Sequence, residues 1–148
     1  MADETIRIGF VGAGANTELR HIPGFQAMDG VELVSVANRS RESGQRIADE
    51  YGIPTVYDSW TELIEAPDTD AICIGTWPYM HRTLVIAALE RGKHVLTEAR
   101  MAMRATEARE MLDASRRHPR LVAQVVPASS TFKVDQTIID LLADGYVG

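Results

Sequence analysis

The residues able to do chemistry stand at the ends of short apolar runs. The first set follows Ile6–Val11 and reads Gly12-Ala13-Gly14-Ala15-Asn16-Thr17. Gly12 can make a tight turn. Gly14 lets backbone approach a pyrophosphate, whose charge then rests on the N-terminus of the next helix. The pattern by itself is weak, and a plain strand-to-helix turn would look similar. Its place after the first strand of an alternating chain makes the phosphate reading the more specific one. The third glycine position holds Thr17 instead. Either helix and strand approach less closely there, or the loop is one residue longer.

The second set closes the run Val31–Ala37 and reads Asn38-Arg39-Ser40. A strand end of this kind usually carries Asp or Glu for the ribose 2′-hydroxyl of NAD. With no carboxylate to repel a 2′-phosphate, Arg39 can pair with one, and Asn38 and Ser40 can donate to it. NADP is therefore favoured over NAD. Arg39 as a solvated loop residue and Ser40 as a helix N-cap is the plainer alternative, and both roles can coexist.

Two further strand ends complete the set. Ala71–Ile74 runs into Gly75-Thr76-Trp77-Pro78-Tyr79-Met80-His81. Trp77 can cover a ribose or a ring face, and Pro78 suits a first helical turn. His81 can reach a ligand or serve as a packing or capping histidine. The run at His94 ends in Glu98-Ala99-Arg100. The Glu98 carboxylate can accept hydrogen bonds from ribose hydroxyls on the nicotinamide half.

These ends need an ordered sheet to bring them together. Apolar runs at 6–11, 31–37, 55–57, 71–74, 94–96 and 121–126 alternate with helical patterns at 18–28, 41–51, 60–65, 80–91 and 107–117. In the fourth helical pattern Leu84, Ala87, Ala88 and Arg91 recur at helical spacing, widened by Val85 and Leu89. Gly52, Gly92 and Gly145 fall where helices should stop. Alternation of strand and helix implies crossover units and a parallel sheet covered on both faces. Fixed crossover handedness makes a doubly wound α/β sheet, a Rossmann fold in a single domain over 1–148, the economical topology. A last apolar stripe, Val134, Ile138, Ile139 and Leu142, has no evident partner, and a domain boundary with more protein beyond it is expected after Gly148.

Composition bounds the function. The 148 residues suit one domain, with 45% hydrophobic and 24% charged residues. A net charge of −6 argues against a nucleic-acid or membrane-surface binder. The single cysteine, Cys73, allows no internal disulfide and reads as a buried thiol. The N-terminus has no basic segment followed by an apolar run, and a cytoplasmic location is expected.

Together these residues resemble the Gfo/Idh/MocA family of NAD(P)-dependent oxidoreductases. The resemblance runs over nearly the whole chain. It covers Gly12–Thr17, His21-Ile22-Pro23, Ala37-Asn38-Arg39-Ser40 and Thr76-x-Pro78-x-x-His81. It is most specific from Ala87 through Gly92-Lys93-His94-Val95-Leu96-Thr97-Glu98. It implies that Gly12, Gly14, Ala15, Asn16, Thr17, Asn38, Arg39 and Ser40 bind the dinucleotide. Thr76, Trp77, Pro78 and His81 match the family's cofactor-side loop, and Gln124 matches the sixth-strand end facing the nicotinamide. It also implies a second domain bearing the substrate site, a sugar or polyol substrate, and a homo-oligomer interface.

One departure matters. The family's Glu-Lys-Pro motif carries a lysine taken as an acid–base or substrate-positioning group, and here it reads Glu98-Ala99-Arg100. Ala99 cannot move a proton, and arginine holds its proton too tightly to be a base. Of the two lysines, Lys93 stands at the wrong end of its strand and Lys133 belongs to the sixth-strand exit or last helix. A missing general acid costs about 10²–10⁴ in rate. Either another domain supplies the group, or the chemistry is atypical, or activity is lost. The leading reading is thus an NADP(H)-preferring oxidoreductase. A non-catalytic dinucleotide-binding regulator is the alternative that Ala99 supports. A methyltransferase is disfavoured by Asn38-Arg39-Ser40.

Overall fold

The computed structural model describes residues 5–127 and 134–146. Strands β1 (Ile6–Val11), β2 (Val31–Ala37), β3 (Thr55–Val56), β4 (Ala71–Ile74), β5 (His94–Thr97) and β6 (Ala123–Val125) form one sheet in the order β3-β2-β1-β4-β5-β6. Every neighbouring pair is parallel. Parallel neighbours need crossover helices, and the sequence places one after each strand. After β1 comes a helical segment over residues 15–26, made of a π-turn, Thr17–His21, and the short helix α1, Ile22–Gln26. Then follow α2 (Arg41–Tyr51), α3 (Trp60–Glu65), α4 (Pro78–Glu90), α5 (Ala105–Arg117) and α6 (Asp135–Ala143).

The expected elements are present, with altered ends. Thr97 adds a residue to β5, while β6 is shorter than expected, covering only three residues. Pro78 begins α4 and Trp77 is its N-cap, as suits a residue with no N–H to donate. Ser40 and Ser59 cap α2 and α3 by accepting from the backbone N–H of Ser43 and Glu62. The helix after β1 departs from the regular helical form. Ile22 N–H reaches back to Thr17 O, five residues earlier, so the first turn widens before Pro23.

Side chains of successive strand residues go to opposite faces of the sheet, which gives two cores. On one face Ile8, Phe10, Val36 and Cys73 pack with Ile22, Ile47 and Ala48 of the helices α1 and α2. On the other Val11, Ala37, Ile72, Ile74 and Val95 pack with Leu63, Leu84, Leu89 and Met111 of α3, α4 and α5. Burial of Phe10, fully enclosed, contributes about 1.5–3 kcal/mol. Cys73 is the buried thiol expected, and burial pushes it up to about 12. On α6, Ile138, Ile139 and Leu142 are exposed. Lys133 lies outside the described residues. No helix among the described residues is long and apolar enough to cross a membrane.

Candidate dinucleotide site

The connections from β1 and from β4 leave toward opposite edges of the sheet. That reversal opens a crevice beyond the carboxyl ends of the two strands, the place where ligands settle in open α/β sheets. The chemistry-bearing turns all lie on this edge.

Gly12 makes the turn with φ +78°, and its N–H donates to Ala37 O at 2.9 Å. A side chain here would be strained by its backbone and would also meet Thr76 Cγ2 at 2.6 Å. Gly14 differs. Beyond its own backbone neighbours, no heavy atom of the described residues lies within 4 Å of the place its Cβ would take, and its φ is not positive. Neither packing nor backbone conformation requires glycine at 14. The space it leaves open stands over the start of the helical segment, where Ala15 and Asn16 are exposed. The first N–H groups of a helix have no intrahelical acceptor, so this opening suits a pyrophosphate. Thr17, in contrast, is only 1% exposed and packs beneath the turn.

The three residues after β2 separate into different roles. Asn38 Oδ1 accepts from Ala13 N–H at 2.7 Å, and its amide donates back to Ala13 O at 3.4 Å. Asn38 thus holds the glycine turn in place. Ser40 caps α2 and bonds to Ser43. Arg39 is exposed, and no hydrogen bond or ion pair joins it to another described residue. No carboxylate belongs to this strand end.

At the end of β4 the exposed rings of Trp77 and Tyr79 flank Pro78, with Trp77 74% exposed. Thr76 sits beside the glycine turn, its Oγ1 buried without a partner among the described residues. His81 is fully buried. Its Nδ1 lies 2.9 Å from Arg100 O and its Nε2 2.9 Å from Thr76 O. Both neighbours are carbonyl oxygens, so the ring nitrogen that carries the proton donates to one of them, and the ring lies between the loop after β4 and the loop after β5. The structure places His81 beneath these loops, in the packing role rather than in the crevice.

Glu98 follows β5, where its N–H donates to Ile74 O. Its Oε1 accepts from Asn16 Nδ2 and, at 2.5 Å, from His21 Nε2. The side chains of His21 and Glu98 are 13% and 16% exposed. His21 lies in the His21-Ile22-Pro23 segment with no local signal to mark its role, because its partner is 77 residues away. Gln124 is exposed on β6, in register with Leu96. Ala99 and Arg100 are exposed beside Glu98. Lys93 belongs to the opposite end of the sheet. Its ammonium donates to Ala66 O at 2.8 Å and Thr69 O at 2.5 Å, and burial lowers its proton affinity. Among the described residues no three His, Cys, Asp or Glu side chains gather as a metal site.

Residues 6–125 match the family described as the Gfo/Idh/MocA oxidoreductase family, NAD-binding Rossmann fold. The chain is 39% identical over 110 residues to 1,5-anhydro-D-fructose reductase of Ensifer adhaerens, covering 74% of this chain and 33% of that protein. Biliverdin reductase of Synechocystis, solved with biliverdin and NADP+, superposes with a TM-score of 0.80 at 28% identity, over 93% of this chain and 43% of its own. Scyllo-inositol dehydrogenase of Lactobacillus casei, at 21% identity, shares the fold with a TM-score of 0.82, over 100% of this chain and 44% of its own. The chain thus spans between a third and under half of the length of these relatives. The chain belongs to this oxidoreductase family, and its six-stranded parallel sheet is the family's NAD-binding Rossmann fold.

Proposed function

We propose that this chain is the NADP(H)-preferring half of an oxidoreductase that moves hydride to or from a hydroxyl-bearing carbon of a sugar or polyol. The observation that carries the binding role is the opening at Gly14, which the folded chain neither fills nor needs. The observation that favours NADP is Arg39, exposed and without an ion-pair partner among the described residues, at a strand end without a carboxylate. The substrate class rests on the likeness to 1,5-anhydro-D-fructose reductase.

In this reading Gly12 shapes the turn, Gly14 admits the pyrophosphate, and the N–H groups of residues 15–17 receive its charge. Arg39 pairs with the 2′-phosphate. Trp77 covers a ring face, Thr76, Pro78 and Gln124 shape the wall beside the nicotinamide half, and His81 supports the loops from beneath. Glu98 accepts from its ribose. A bound nicotinamide supplies the hydride chemistry, and the chain's own residues orient it. A second domain would carry the substrate.

Ala99 favours a second reading, a dinucleotide-binding regulator without turnover, because that position holds no group able to move a proton. Parallel calorimetric titrations with NADP+ and NAD+ test the first reading at its base. Binding with NADP+ favoured is expected. Equal affinities would remove the 2′-phosphate role, and no binding of either would remove the dinucleotide role. Turnover of polyols by a longer form of the protein, measured by nicotinamide absorbance, separates enzyme from regulator.

A further inference from the structure

We infer that Asn16 and His21 are a positioning pair, presented by the π-turn, that aims Glu98 at the nicotinamide half of a bound dinucleotide. The inference rests on the dinucleotide reading above and assigns a task to the side chains of two residues, of which that reading uses only the Asn16 backbone. Both side chains donate to the same oxygen, Glu98 Oε1. The other oxygen, Oε2, has no hydrogen bond to a described residue. One carboxylate oxygen is therefore pinned from two sides while the second stays available as an acceptor.

The spacing of the pair explains the unusual turn. Asn16 and His21 are five residues apart. In a regular α-helix, at 3.6 residues per turn, positions i and i+5 point about 140° apart. They cannot then reach one atom. The π-turn Thr17–His21, closed by Ile22 N–H on Thr17 O, adds a residue to the turn and brings i and i+5 toward one face. Pro23, with no N–H, could not have supplied the next donor of a regular ladder in any case. The widened turn costs helical regularity, and what it delivers in this fold is the double contact on Glu98.

The position of Glu98 sets which half of the ligand is affected. Arg39 follows β2, and Glu98 follows β5, on the other side of β1 and β4. A dinucleotide with its 2′-phosphate at Arg39 and its pyrophosphate at Gly14 carries its nicotinamide ribose across the switch point toward β5. Loss of aim at Glu98 should weaken the whole dinucleotide and spare the adenosine end.

The test is calorimetric titration of the chain with NADP+ and with adenosine 2′,5′-bisphosphate, a probe that lacks the nicotinamide half. A lost charge-assisted contact is worth about tenfold in affinity. His21→Ala is expected to weaken NADP+ by about tenfold and the bisphosphate by less than about twofold. His21→Gln, which restores a donor, is expected to recover most of the NADP+ affinity. Asn16→Ala, at an exposed position, gives a second variant should His21→Ala fold poorly, with the same ligand dependence. Equal losses for both ligands, or unchanged NADP+ affinity in both alanine variants, would overturn the positioning role while leaving the dinucleotide reading standing. A wild-type chain that binds neither ligand would overturn both.

Discussion

Gly75, the residue after β4, is what makes room for Thr17. A Cβ on Gly75 would fall 2.5 Å from Gly12 O and inside the contact radius of Thr17 Oγ1. The third glycine of the phosphate turn allows helix and strand to pack closely. Here the larger residue stands on the helix side, and the missing side chain has moved to the facing strand. We expect Gly75→Ala to destabilise the fold by about 1–3 kcal/mol, the usual cost of overpacking. Urea unfolding measures it, and an unchanged midpoint would mean that the turn has slack.

Gly14→Val should behave in the opposite way. Nothing occupies the space its side chain would fill, so stability should change by less than about 1 kcal/mol. Binding of NADP+ and NAD+ should be lost together, because valine takes the volume of the pyrophosphate. Undiminished calorimetric binding would make the turn purely structural.

Arg39→Ala should weaken NADP+ by about 1.5–3 kcal/mol, the range for a hydrogen bond to a charged group, and leave NAD+ nearly unchanged. Equal losses for the two ligands would exclude a 2′-phosphate partner.

Acid should loosen the amino ends of β1 and β4. Arg7 donates to both Asp70 oxygens, at 2.9 and 2.8 Å, and its N–H donates to Asp70 Oδ2 at 2.9 Å. This side-chain hydrogen bond, against some burial, holds the Asp70 carboxyl below its ordinary value. A carboxylate depressed by folding stabilises fully above the unfolded value of about 3.9. That stabilisation fades as pH falls through the unfolded and then the folded value. Melting temperature should therefore drop below about pH 4 in the wild type, and Asp70→Asn should flatten that part of the profile. An identical acid limb in the variant would place the loss elsewhere.

Much of the fold is written locally. The boundaries of β1, β2, β4, α2 and α3 follow from apolar runs, from Ser40 and Ser59 as caps, and from Gly52 in the left-handed C-cap. The run of alternating strands and helices, read with the handedness rule, was enough to reach a doubly wound sheet. The ends of β6 and the widened turn at Thr17–His21 were not legible. The first is a short edge strand whose length depends on β5 alone, and the second breaks the 3.6-residue period on which sequence reading relies.

The candidate site divides in the same way. The sequence by itself determined which residues stand at the strand ends: Gly12 and Gly14, Asn38 to Ser40, Thr76 to His81, and Glu98. These are matters of residue type next to a predicted turn. Only the tertiary structure decided how their side chains are used. It turned Asn38 onto Ala13, sent His81 beneath two loops, left Arg39 without a partner among the described residues, and joined Glu98 to His21 and Asn16, 77 and 82 residues away. The physical reason is range. Propensity, capping and periodicity act over a few residues, whereas a hydrogen bond between β5 and the turn after β1 exists only once β4 has been laid between those strands.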